Sequence, residues 1–97
     1  MQLYAILRRS GWTTPDALTA AAERSTAVGE EMPDDVRWIR SYVLDETDGQ
    51  VGTICIYEAT SPQAVREHAK RADLPADEII QVADTVIVRS DPERVRA

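Results

Sequence analysis

At 97 residues with a formal net charge of −6, the chain has the size of one domain and the wrong sign for binding nucleic acid by phosphate neutralisation. Hydrophobic residues at 43% and charged residues at 29% are the composition of a globular domain. No apolar run approaches the roughly 20 residues that span a bilayer, and Met1 to Gly11 lacks the features of a signal peptide, so a cytoplasmic setting without membrane or nucleic-acid partners is expected.

Gln2 to Arg8 is rich in strand formers and apolar on both faces, as in a central strand. Ser10 to Thr13 reads as a loop in which Trp12 closes over an edge of the core. Thr14-Pro15-Asp16 is a helix start: a capping hydroxyl, a proline suited to the first helical position, and an acid that complements the positive end of the dipole. Leu18, Ala21, Ala22, Ser25, Val28, Gly29 and Met32 then draw one stripe of mostly small residues, which predicts close packing against a neighbour. Pro33 ends the helix.

Val36 to Ala59 reads as two long strands joined through Asp48-Gly49, a hairpin turn pair. Strict alternation would place Val36, Trp38, Arg40, Tyr42 and Leu44 on one face, with Ile39, Ser41 and Val43 on the other. On the second strand Ile54, Ile56 and Glu58 share a face, expected to lie toward the helices. Cys55 and Tyr57 are expected with Trp38, Arg40 and Tyr42 on the uncovered face. Thr60-Ser61-Pro62 repeats the helix-start signal, and Ala64, Val65, His68, Ala69 and Ala72 form the buried stripe. After a turn at Leu74 to Asp77, Glu78 to Arg89 reads as a last strand or a broken pair of strands. The order strand, helix, strand, strand, helix, strand predicts an α+β, ferredoxin-like domain over residues 1–89, its antiparallel sheet carrying both helices on one face. Residues 90–97 form a polar tail. An uncovered face rich in Trp38, Tyr42, Cys55 and Tyr57 predicts a homodimer formed through the sheet.

Few residues carry chemistry. His68, the only histidine, is read either as a hydrogen-bonded packing residue or as a metal ligand, since neutral imidazole suits nickel, zinc and copper. Glu58, at the end of the strand leading into the His68 helix, is the carboxylate expected nearest to it; a solvated edge position is the alternative. Arg40 among Trp38, Tyr42 and Tyr57 could hold an anionic ligand through its planar fork, or pair across an interface. Cys55 is the lone cysteine and is expected to be a buried, inert thiol. No paired-cysteine site, phosphate loop, metalloprotease motif or nucleophile elbow is present, so nucleophilic catalysis has no support.

The Trp38-Ile39-Arg40-Ser41-Tyr42 strand, the Cys55-Ile56-Tyr57-Glu58-Ala59 segment entering a helix, the Arg66 to Ala72 helix and the Leu74 to Ile79 turn occur in an order that resembles a small family of bacterial domains whose named member is a nickel-binding protein. The resemblance spans residues 3 to 88. It implies a ferredoxin-like fold that dimerises face to face into an α/β barrel, and binding of nickel or another divalent transition metal. His68, Tyr57 and Glu58 stand in the matching motifs. Leu7 occupies a position near the end of the first strand where such domains often carry a carboxylate. Three readings follow: a metal-binding homodimer; a small-molecule pocket lined by Trp38, Arg40, Tyr42 and Tyr57, supporting binding or cofactor-independent catalysis; and a structural interaction module.

Overall fold

The computed structural model describes residues 1–93, so the last four residues of the expected tail lie outside the described residues. Six elements follow in the order β1 (Gln2–Trp12), α1 (Pro15–Glu31), β2 (Val36–Asp45), β3 (Val51–Ala59), α2 (Pro62–Arg71) and β4 (Glu78–Gln81). The four strands form one antiparallel sheet in the spatial order β2-β3-β1-β4. This is the ferredoxin-like arrangement predicted from the element order. Among the described residues no helix is long and apolar enough to cross a membrane.

Both helix starts form as their sequences dictate. The Thr14 hydroxyl accepts from the Ala17 amide at 3.1 Å and the Ser61 hydroxyl from the Ala64 amide at 3.1 Å, each followed by proline at the first helical position. Gly49 takes φ = 82° in the hairpin turn, a conformation that side-chain-bearing residues rarely adopt.

The core lies between the two helices and one face of the sheet. Tyr4 and Ile6 of β1, with Cys55, Tyr57 and Ala59 of β3, meet Val28 and Met32 on the α1 side and Val65 and Ala72 on the α2 side. This reverses the expected parity of β3: Cys55 and Tyr57 point to the helices, whereas Ile54, Ile56 and Glu58 alternate with them onto the open face. On β2 the strict alternation breaks. The register with β3 shifts between Trp38 and Arg40, so that Trp38 lies opposite Tyr57 but Arg40 lies opposite Ile56 and Ser41 opposite Cys55. Ile39 is the extra residue of a β-bulge, and beyond it the two faces exchange. Trp38 therefore stands on the helix side and Arg40 and Tyr42 on the open side.

Two further expectations are corrected. β1 does not stop at Arg8 but continues to Trp12 through an irregularity at which Ser10 takes φ = 47°. Gly52 permits this close passage, since a Cβ there would meet the Arg8 carbonyl at 2.8 Å. The final strand is four residues long instead of twelve. Beyond Val82, whose amide donates to Leu3 at 2.9 Å, the chain leaves the sheet, with Val86 to Val88 about four-fifths exposed. It then reaches Asp91, whose carboxylate accepts from the Tyr42 hydroxyl at 2.8 Å.

Candidate functional site

The small-residue stripe of α1 sets the site. Ala21, Ser25 and Val28 are its buried positions, and short side chains there leave room between the helix and the sheet. A cavity of about 260 Å³ occupies that space. Its walls are mainly apolar, with Trp12, Leu18, Ala22 and Leu74 on one side and Trp38, Val43 and Tyr57 on the sheet.

Tyr57 is the centre of the wall. Its ring stacks on Trp38 with centroids 6.1 Å apart and planes 8° from parallel, and meets the His68 imidazole edge-on at 5.3 Å. Its hydroxyl shares a 2.8 Å hydrogen bond with the Ser25 hydroxyl. Burial pushes the Tyr57 phenol above its usual range, against the opposing effects of the Ser25 bond and the nearby Arg8 charge.

His68 is 1% exposed. Its Nε2 lies 3.0 Å from the Ser25 carbonyl oxygen, which can only accept, so Nε2 carries the proton and Nδ1 holds a bare lone pair. Nδ1 is buried and has no hydrogen-bond partner. Burial first, and the Arg8 charge in addition, lower the His68 pKa below 6.5, with the Ser25 bond acting in the other direction; the ring is neutral at pH 7. A second groove, with His68 in its lining, carries Glu30, Asp34 and Arg37.

Of the residues expected to form the site, the structure brings together Trp38, Tyr57 and His68. It separates Glu58 from His68, because Glu58 lies on the open face, paired across the sheet with Leu3 and Arg37. Arg40 and Tyr42 are likewise on the far side of the sheet from Trp38 and Tyr57, and Arg40 is met by Asp91 at 3.6 Å. Among the described residues no three histidine, cysteine, aspartate or glutamate side chains gather in a way that could hold a metal ion.

Sequence reasoning missed Arg8, which is 1% exposed and lines the cavity. The signal was its parity: Tyr4, Ile6 and Arg8 alternate along one strand, so Arg8 shares the core-facing side. Cys55 is buried as expected, its sulfur accepting from the Ser41 hydroxyl at 3.0 Å and lying 3.3 Å from the Thr53 hydroxyl. A thiol reagent added to the native protein should therefore label Cys55 far more slowly than an exposed thiol. Rapid stoichiometric labelling would contradict its placement.

Comparison with known proteins places these features in context. The model of the family described as "Nickel responsive protein SCO4226-like" matches residues 4–82. The crystal structure of SCO4226 from Streptomyces coelicolor A3(2) is similar, with a TM-score of 0.70 and 25% sequence identity, covering 87% of this chain and 99% of that one. No curated protein matches the chain.

Proposed function

Since the chain belongs to the nickel-responsive SCO4226-like family, we propose that it is a divalent-metal-binding domain that works as a homodimer, with His68 as its nitrogen donor. The observation that supports this reading is the state of that imidazole. A metal-ligating histidine characteristically gives its other ring N–H to a carbonyl or carboxylate, which fixes the tautomer and leaves a lone pair for the metal. His68 has this form, donating through Nε2 to Ser25 while Nδ1 is unpaired.

The remaining donors fit less well. No set of three gathers within one chain among the described residues, and the Arg8 charge beside His68 opposes a dication. Glu30 and Asp34 line the same groove as His68, but the three do not gather into a metal-holding set, so further donors would have to come from outside the chain. One imidazole with oxygen ligands makes a site of modest affinity for nickel.

Calorimetry with nickel on tag-free protein tests this. His68→Ala should weaken binding at least tenfold, whereas Glu58→Gln, altered on the opposite sheet face, should leave it unchanged. If His68→Ala binds as tightly as the parent, the imidazole returns to a packing role. Acid should release the ion, because a protonated imidazole cannot coordinate. Burial depresses the folded-state pKa of His68 below the unfolded value near 6.5, so its contribution to stability is present above about pH 6.5 and lost as pH falls through the depressed folded value. Nickel release should follow the same direction, with its midpoint below about 6.5.

A further inference from the structure

We propose that the cavity between α1 and the sheet is a binding site for a small monocarboxylic acid with an aromatic or branched apolar body, its carboxylate pairing with Arg8. The argument starts from an imbalance of charge. Arginine stays ionised inside proteins, and a guanidinium removed from water is costly unless its charge and its donors are answered. Arg8 is 1% exposed and has no acidic partner among the described residues. One nitrogen, Nη1, donates to the Pro75 carbonyl, while Nη2 is sealed from solvent with no hydrogen-bond partner. The Pro75 carbonyl and the nearby Tyr57 hydroxyl are both neutral, so they leave the positive charge without an anion.

The surroundings state what kind of anion fits. Arg8 shares a cavity of about 260 Å³ whose other walls are mainly hydrocarbon and indole. A phosphate or sulfate would have to give up its hydration to surfaces that cannot replace it. A carboxylate matches the planar fork of a guanidinium, and an attached apolar body matches the walls. Trp12 and Trp38, with the Tyr57 ring, provide flat surfaces suited to an aromatic ring. The volume lies just below the usual range for ligand pockets, which restricts the occupant to a small acid. The other polar side chains at the wall, Thr19, Ser25, Ser41, Thr53, Cys55 and Tyr57, already hydrogen-bond within the protein, which leaves Arg8 as the polar group with a donor to spare for an apolar ligand's headgroup. This site is separate from the lone pair of His68 and does not depend on metal.

The chain supplies its own reporter, because its two tryptophans, Trp12 and Trp38, both line the cavity. Intrinsic fluorescence is titrated with phenylacetate, with phenylacetamide as the neutral isostere and with acetate as the carboxylate lacking a body. The proposal expects saturable binding of phenylacetate, at least tenfold tighter than either comparison compound. Equal binding of acid and amide, or no binding by millimolar concentration, overturns it; acetate binding as tightly as phenylacetate overturns the assignment of an apolar body. Arg8→Met, close in length and free of charge, should keep the weak amide binding and lose the preference for the acid. A preference that survives in Arg8→Met overturns the role of Arg8. If that variant does not fold, the acid-to-amide ratio in the parent protein decides.

Discussion

Ile56→Glu should abolish the proposed homodimer and leave a folded monomer, read by light scattering of parent and variant at micromolar concentration. Ile56 sits on β3, one of the two inner strands of the β2-β3-β1-β4 sheet, and faces away from the helices. Around it on the same face lie Leu3, Ala5 and Leu7 of β1, Ile54 of β3 and Ile80 of β4, none of which is covered by a helix. A patch of this kind on a small domain marks an interface, and a stable one buries about 1,200 Å² or more in total. A carboxylate introduced at its centre loses water and gains no partner, which costs on the order of 3 kcal/mol and weakens association about a hundredfold. Because the helix-side core is untouched, circular dichroism should remain that of the parent. A monomeric parent, or a variant that stays dimeric, would remove the open face as the interface.

The second large effect is expected at Tyr57. Its ring is 2% exposed and holds three partners at once: Trp38 by stacking, His68 edge-on and Ser25 through the hydroxyl. Tyr57→Ala should cost about 3–5 kcal/mol, the range for deleting a large aromatic from a core. In a domain of this size that lowers the melting temperature by more than about 12 °C. Tyr57→Phe keeps both ring contacts and loses only the hydroxyl bond. Ser25 can then turn to a carbonyl of its own helix, so the loss should be about 1 kcal/mol, or roughly 4–8 °C. Thermal melts of the two variants measure the difference, and equal losses would show that the ring contacts contribute little.

The elements were legible because their signals are local. Thr14-Pro15 and Ser61-Pro62 each combine a cap with a proline whose missing N–H is no loss at a helix start, and Asp48-Gly49 supplies a turn that needs positive φ. The faces of the hairpin were not legible, for two physical reasons. Both sides of this sheet are apolar, so the aliphatic pair Ile54 and Ile56 looks like core when it stands on the open face, and hydrophobicity stops reporting direction. The bulge at Ile39 then exchanges the faces of β2, and nothing in the composition around Ile39 announces an extra residue.

The site followed the same division. Trp38, Tyr57 and His68 are together because each obeys the alternation or helical spacing of its own element. Arg40 and Tyr42 left the set because of the bulge, and Glu58 because β3 faces the other way. Arg8 was missed because a charged side chain is assumed to face water. The short β4 has another cause: the apolar run from Ile79 to Val88 suggests a long strand, but β1 pairs with only Glu78 to Gln81.

The extra residue at Ile39 makes β2 serve two surfaces from one strand. Val36 belongs to the helix-side core and Trp38 to the cavity there, and Arg40 and Tyr42, a few residues on, belong to the open face and to Asp91. What assigns them is a residue count and not a side-chain type. Ile39 is 45% exposed, and many side chains could stand there without disturbing either surface. Deleting that one position would put Arg40 directly after Trp38 in a regular ladder, opposite Ile56 as before, so Arg40 and Tyr42 would stay on the open face and Ser41 and Val43 on the helix side. A one-residue deletion further along, at Ser41 for example, would instead turn every residue beyond it to the wrong face, so in β2 the bulge is the one place where the strand can lose a residue and keep both surfaces.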